Sequence, residues 1–459
     1  MDKDVAGRND DTNGGTAIHC GWIVAAVIAA LLGAIPVVKR TVDGSSDLRG
    51  FHRIWKANLE APMQPVRQNG EVKDDPDPYP PSSYVLFAPL GALPLWGIGL
   101  LWYVLNLACS WGIWRLSCRL LDLQTHERGA LLCASVGVLP FWMGNLARGQ
   151  NAPLLMLCIL GAFWLARQQR SFWSGALIAL ASLVKVIPAV FLLPFLIRRD
   201  VKAVAGFAAT LVVVVVLISS LFFGPRTNYE FHQRWWTFVT RGSEGPADPF
   251  HPDTMRSSTR SNNQSLEAVL ARLMLPIPTA SKPDSLKVNV VTADAAAWRM
   301  ARKISIGAVL AACALALVGL RRRHAQGTGI VEGEASRSGT LLNPFAAEMA
   351  IVAPVMLIVS PIVWSHYYYW MFFPLAAMLA RPEGRERSQQ SIFALWMVAT
   401  LLIGVHVSRS IGVNLWATAA VFTWFAWPPF KALGMRTVHD LPDASATEND
   451  TRPELRRAA

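Results

Sequence analysis

Apolar runs recur along this chain, most of them close to the length of about 20 residues that crosses a bilayer. A first run at 22–38 is followed by others near 95–114, 129–144, 151–166, 172–197, 203–223, 304–320, 346–363, 366–380, 391–407 and 412–430. Over 459 residues, 53% are hydrophobic and 16% charged, against roughly 45–50% and about 25% in soluble domains. Such an excess calls for a lipid solvent and argues against both a disordered chain and a soluble enzyme. The net charge of +12 is spread in short basic clusters between the runs, a pattern of membrane topology rather than of a nucleic-acid face. Cys20, Cys109, Cys118, Cys133, Cys158 and Cys313 all lie in or beside apolar stretches with no CxxC pair. Neither a disulfide framework nor a zinc site is expected.

Orientation follows from the loops, because short cytoplasmic loops collect Lys and Arg. With the N-terminus inside, and 172–197 read as two short helices that enter and return around Lys185 and Pro188, the basic clusters fall on one side. These are Arg115 to Arg128, Arg167 with Arg170, Arg198 with Arg199 and Lys202, Arg321 to Arg323, Arg337, and Arg381 to Arg387. Only Arg148, Lys185 and Arg409 occupy the short loops opposite. The expected fold is an all-α polytopic membrane protein of about twelve crossings with both termini inside and two long outer loops, 39–82 and 225–303. The membrane domain covers 20–430, between polar tails at 1–19 and 431–459, and the first run is retained because no small-residue cleavage pattern follows it. The segment from Tyr84 to Pro94 is too short to cross and reads as re-entrant or interfacial.

Several residues in these loops could carry chemistry. Leu48, Phe51, Trp55 and Leu59 recur at helical spacing, which predicts an amphipathic helix on the membrane face, with Asp47 at its start. Asp47 there is either an N-cap or a general base; Asp43, Asp74, Asp75 and Asp77 are rivals in the same loop. Lys185 sits in an apolar stretch, where an ammonium snorkels to the interface or faces an anion in a wet cavity. Arg148, Gln150 and Asn151 share a short turn in which Asn151 caps the next helix or lines a polar site. Ser360 to Trp370 carries Trp364, His366 and Tyr367; its aromatics suit an interfacial belt, whereas a belt has no use for imidazole. Asn263-Gln264-Ser265 forms a glycosylation sequon of a kind common by chance. No Walker loop, GxGxxG, HExxH or GxSxG stands in a suitable context.

The order of these motifs resembles glycosyltransferase family 87, the polyprenyl-phosphate-sugar-dependent enzymes of the GT-C membrane fold. The resemblance rests on Asp47, on Asp77-Pro-Tyr79-Pro-Pro81 leading to Leu86-Phe-Ala-Pro-Leu90, and on Gly149-Gln150-Asn151. It continues with Gly175 through Lys185-Val-Ile-Pro188 to Arg198-Arg199, then Asn263-Gln264-Ser-Leu266 and Ser360-Pro-Ile-Val-Trp364-Ser-His366. The chain departs from the family where Arg49-Gly50-Phe51 replaces an aromatic-rich segment after the loop aspartate, and where Tyr367 stands in place of a second histidine. The resemblance implies an inverting transfer of a hexose, typically mannose, from a polyprenyl-phosphate donor to a lipid or glycan acceptor, on the outer face of a bacterial cytoplasmic membrane. Under that reading Asp47 is the base, and Lys185, His366 and Arg148 hold the leaving phosphate. Tyr79, Gln150, Asn151, Asn263, Gln264, Trp364 and Tyr367 line the substrates. The expected partners are the two substrates and membrane lipids, with no nucleic acid, cofactor or metal. The alternative from another class is a transporter or flippase for a lipid-linked or anionic solute, which shares the many spans and the membrane lysine. A structural subunit of a glycan-assembly complex is a third reading, in which no single loop carboxylate matters.

Overall fold

The computed structural model describes residues 32–60, 67–68, 71–72, 79–241, 260–280, 286–327, 342–381 and 385–434. Asp74, Asp75 and Asp77, the start of the first apolar run and both tails lie outside them. The described part is helical apart from one antiparallel pair, Arg67–Gln68 with Glu71–Val72. Helix α1 occupies 32–43. It is followed by α2 (Asp47–Glu60), α3 (Pro81–Phe87), α4 (Leu95–Leu120), α5 (Gly129–Arg148), α6 (Ala152–Arg167), α7 (Ser171–Val184), α8 (Leu193–Ile197) and α9 (Val201–Leu211). Beyond a π-helical turn at Val212–Ile218 come α10 (Ser219–Phe223), α11 (Pro225–Arg241), α12 (Leu266–Met274), α13 (Ala295–Gly327), α14 (Pro344–Val359), α15 (Phe372–Ala380), α16 (Glu386–Leu402), α17 (His406–Ser410) and α18 (Val413–Gly434).

Among the described residues, four helical stretches are long and apolar enough to cross a bilayer: Leu95–Leu120, Thr125–Arg148, Val201–Phe223 and Ala295–Ala325. Their outer faces expose large apolar side chains, such as Trp111 at 66% and Leu221 at 79%. In a soluble protein surfaces of this kind would associate; here they face lipid, and the protein is an integral membrane protein. Helix α14 behaves in the opposite way. Every residue from Ala346 to Ile358 is buried, and apart from Glu348, which pairs with Arg198 at 3.1 Å, the stretch is apolar all round, the pattern of a helix at the centre of a bundle. At 16 residues it is about 24 Å long, short of the roughly 30 Å hydrocarbon core. Helices α6 and α7 are similarly short, with 16 and 14 residues. Because these central helices stop early, the polar turns at their ends can meet within the shelter of the longer outer ones.

The broken run folds back as its composition predicts. Helix α7 ends at Lys185, whose backbone is extended (φ −142°, ψ 132°), and the chain returns through a 3₁₀ turn, Ile187–Leu192, and α8. Gly175 lies against the Ala203 carbonyl and Gly206 against the Phe172 carbonyl, so the two ends of this segment lie together. Pro188 and Pro194, near the starts of the two returning pieces, suit helix starts where no N–H is needed.

The amphipathic helix after α1 also forms, with a different partner from the membrane face expected. Leu48 and Trp55 are buried in a cluster with Tyr84, Ile98 and Trp102, so protein rather than lipid covers the apolar face of α2. The cover comes from α3 and the following 3₁₀ turn, Ala88–Ala92, which is the short segment expected to be re-entrant; it packs along α2 and leads directly into α4.

Candidate active site

Three sequence-distant turns meet at one amide. The Nε2 of Gln150 donates to Asp47 Oδ2 at 2.8 Å, and its Oε1 accepts from Lys185 Nζ at 3.4 Å. A carboxylate can only accept and an ammonium only donate, so these two partners fix which end of the amide faces which. Lys185 also donates to the Tyr367 hydroxyl at 3.1 Å. Its ammonium stands 4.4 Å from the Tyr367 ring centroid and 5.7 Å from that of Tyr79, within the range of cation–π attraction. Asp47, Gln150, Lys185, Tyr79 and Tyr367 are thus brought together.

The local backbone explains why. Gly149 has φ +66° and closes α5, and a Cβ there would collide with the Leu48 side chain. Glycine is therefore required both for the left-handed turn and for the close approach of α2. Gln150 is then held at its carbonyl by Trp102 Nε1 at 3.2 Å, and is 5% exposed. At the start of α2 the side-chain cap is Ser46, whose Oγ accepts from Leu48 N at 3.2 Å. Asp47 is left exposed, with one carboxylate oxygen on Gln150 and no further hydrogen-bond partner among the described residues. Asp43 is engaged elsewhere, accepting from Ser45 Oγ at 2.8 Å and Ser45 N at 3.2 Å. Those bonds hold its carboxyl below the usual carboxylate range.

His366, 2% exposed, starts the turn that leads into α15, and neither ring nitrogen has a partner in the described structure. Its carbonyl accepts from Asn145 Nδ2 at 2.8 Å, and its ring packs edge-on to Tyr367. Asn151 is buried at the start of α6 but makes no capping bond, and its Oδ1 is unpartnered. The first N–H groups of α6 lack intrahelical acceptors, so a positive helix end adds to Lys185 at the same place. Arg148 is exposed at the end of α5, and Trp364 is half-buried immediately before the 3₁₀ turn. Beneath Lys185 a pocket of about 20 Å³ is lined by Leu155, Pro188, Met356, Tyr367 and Trp370. It has room for about one water.

Asn263 and Gln264 serve another junction. The amide of Asn263 donates to the Pro361 carbonyl at 3.3 Å and accepts from Ser265 N and Val363 N. That of Gln264 donates to the Ser261 and Arg409 carbonyls. Asn263 is 1% exposed, with its amide committed to the Pro361, Ser265 and Val363 bonds. Beside them is a residue that sequence reading passed over: Arg272, fully buried, donates to the carbonyls of Arg260, Asn263, Arg409 and Ser410. Burial pushes its pKa down to about 10, which leaves it charged at neutral pH. Its position on the buried face of amphipathic α12 was the available signal. Among the described residues no group of three or more His, Cys, Asp or Glu side chains is placed to hold a metal ion.

The family model of glycosyltransferase family 87 matches residues 78–330, a span that includes Gln150 and Lys185 but neither Asp47 nor His366. One relative, from Mycolicibacterium smegmatis, is a polyprenol-phosphate-mannose-dependent alpha-(1-2)-phosphatidylinositol pentamannoside mannosyltransferase. It is 28% identical over 332 residues, 71% of this chain and 67% of the relative. A protein of the same description from Mycobacterium tuberculosis is 27% identical over 392 residues, 84% of this chain and 76% of its own. A third, from Mycolicibacterium smegmatis and described as acting on phosphatidylinositol mannoside, is 26% identical over 296 residues, 61% of this chain and 56% of its own. No solved structure matches the chain.

Proposed function

The chain belongs to glycosyltransferase family 87, and on that premise we propose that it transfers mannose from a polyprenyl-phosphate donor to a lipid or glycan acceptor, with inversion at the anomeric carbon. The observation that carries this reading is the Gln150 amide, which holds a carboxylate on one side and an ammonium on the other. In the reaction, the acceptor hydroxyl oxygen attacks the anomeric carbon as the bond from that carbon to the donor phosphate breaks. Asp47 takes the hydroxyl proton through its unengaged oxygen. The departing phosphate is an anion before and after the step, so it needs cations and N–H donors rather than an acid. Lys185 supplies the charge, Arg148 and the end of α6 extend it, and the unpartnered ring nitrogens of His366 offer a donor. Asn151, with a buried unpartnered carbonyl oxygen, is available to a sugar hydroxyl, and Tyr79, Tyr367 and Trp364 border the same space. A single displacement turns a β-linked donor into an α-linked product, the linkage that the mycobacterial relatives' descriptions carry.

The site belongs on the outer face of a bacterial cytoplasmic membrane in a bundle of about twelve crossings, a topology supported by the one-sided Arg and Lys clusters. Family membership favours transfer over transport, and the phosphatidylinositol mannosides named for the relatives suggest a glycolipid acceptor. The test is incubation of the purified protein with polyprenyl-phosphate mannose and phosphatidylinositol mannosides of increasing mannose content. A product one mannose larger is expected from at least one acceptor. Donor that stays intact with every acceptor while crossing vesicle membranes would favour the transporter instead.

A further inference from the structure

Outside the Gln150 cluster, a groove of about 640 Å³ runs between α2 and residues 91–95. One wall is basic. Arg49, Arg53 and Lys56 lie at i, i+4 and i+7 on α2 and so form one stripe. The other wall is apolar, made by Ala92, Leu93, Pro94 and Leu95. The walls are locked together: His52 Nε2 donates to the Leu93 carbonyl at 2.8 Å, and Gly91 abuts the backbone of Trp55 and Lys56, where a side chain could not fit. Asp47, Gln150, Lys185 and Tyr367 do not line it.

The charge in this groove is unbalanced. Among the described residues Glu60 is its one carboxylate, and it pairs with Lys56 at 3.7 Å with both side chains more than half exposed, a geometry that holds little. Arg49 Nη1 donates to the Val42 carbonyl, and Arg53 is exposed with no hydrogen bond or ion pair among the described residues. The apolar wall runs straight into lipid-facing surface, since Trp96, next after Leu95, is 60% exposed at the start of α4, and Leu59 on the rim is 41% exposed. Exposed tryptophan at the end of a membrane-crossing helix marks headgroup depth. A ligand that matches both walls carries negative charge at that depth and hydrocarbon beside it.

We infer that this groove holds the phosphodiester headgroup of an anionic phospholipid of the surrounding bilayer. Its phosphate lies against Arg53 and Lys56, and its acyl chains run past Leu93 and Leu95 towards Trp96. Such a lipid would tie α2, and with it the start of the helix that carries Asp47, to the membrane surface. The inference is independent of the reaction assigned to Asp47, because it concerns which lipid is retained.

The test is native mass spectrometry of the purified full-length protein in detergent, titrated separately with phosphatidylglycerol and phosphatidylcholine. Phosphatidylglycerol should be retained preferentially, and each charge lost in Arg53→Gln and Lys56→Gln should weaken retention about fivefold. The charge-preserving pair Arg53→Lys and Lys56→Arg should retain it, as should Lys202→Gln on α9, which removes a charge elsewhere. Equal retention of the two lipids would overturn the inference. So would wild-type retention in the double Gln variant, or loss in the charge-preserving pair. Competition by phosphatidylglycerol against the acceptor during turnover would assign the groove to substrate and overturn the claim of a bilayer lipid.

Discussion

Two polar junctions hold loops to this helical bundle, and they spend their hydrogen-bonding capacity differently. Around Arg272, the guanidinium, the Asn263 amide and the Gln264 N–H₂ are directed at backbone groups. Among the described residues, Gln264 Oε1 is the one buried atom of those three side chains without a hydrogen-bond partner. Around Gln150, among the described residues, Asp47 is exposed with one oxygen unengaged, both ring nitrogens of His366 are unpartnered and Asn151 Oδ1 is buried without a bond. Buried polar groups are normally satisfied; the first pattern is that of a structural staple, whereas the second leaves donor and acceptor atoms of the proposed site uncommitted. The contrast separates residues that composition alone placed in one class, since Asn263, Gln264, Gln150 and Asn151 all read as polar loop residues beside apolar runs.

The sharpest way to break the contrast is Asp47→Asn. Ser46 already caps α2, and asparagine can still accept the Gln150 bond, so folding and membrane insertion should be unchanged while turnover falls by about 10²–10⁴. Turnover near wild type, with loss in Asp43→Asn, would transfer the base to the residue that the structure ties into a turn. Next in size is Lys185→Ala, which removes a charged donor from phosphate and should cost about 10–100-fold in donor use. Lys185→Arg should keep much of that, with some loss from misfit, because charge is the main requirement. Equal kinetics in wild type and Lys185→Ala, with normal expression, would make the lysine an interfacial anchor.

The staple should respond in the opposite currency. Arg272→Met leaves several buried carbonyls without donors and is expected to lower stability by about 2–4 kcal/mol, read by thermal unfolding in detergent. Activity per folded molecule should change little. A large loss of turnover in protein of unchanged stability would move Arg272 into the active site. A smaller effect comes from Glu127 and Arg381, an ion pair distant in sequence from both junctions with an N···O distance of 2.6 Å. The pair is expected to contribute about 0.5–1 kcal/mol after allowance for solvent screening, a stability that Glu127→Gln should remove and that thermal unfolding in detergent reads.

Much of this was legible in the sequence because it is local. Apolar runs locate helices, Lys185 and Pro188 mark the break in 172–197, and Leu48, Phe51 and Trp55 announce α2. What the chain does not display locally is pairing. The Gln150 bridge joins residues 103 and 35 positions away, and nothing in either neighbourhood distinguishes a bridging amide from a lining one. Likewise, the spacing that predicts an apolar face on α2 cannot say whether lipid or Trp102 covers it. The cap at Ser46 illustrates a finer limit: Ser45, Ser46 and Asp47 are all good capping residues, and only the backbone path decides which one reaches Leu48 N.

The roles proposed above divide the labour across one amide, with Asp47 acting on the acceptor proton and Lys185 on the donor phosphate. The most direct measurement is the affinity of purified wild-type, Asp47→Asn and Lys185→Ala proteins for polyprenyl phosphate, set beside their turnover of polyprenyl-phosphate mannose. Asp47→Asn should bind polyprenyl phosphate as wild type does and turn over little donor, whereas Lys185→Ala should lose affinity and turnover together. Weakened binding in Asp47→Asn with wild-type binding in Lys185→Ala would contradict the assignment of both residues.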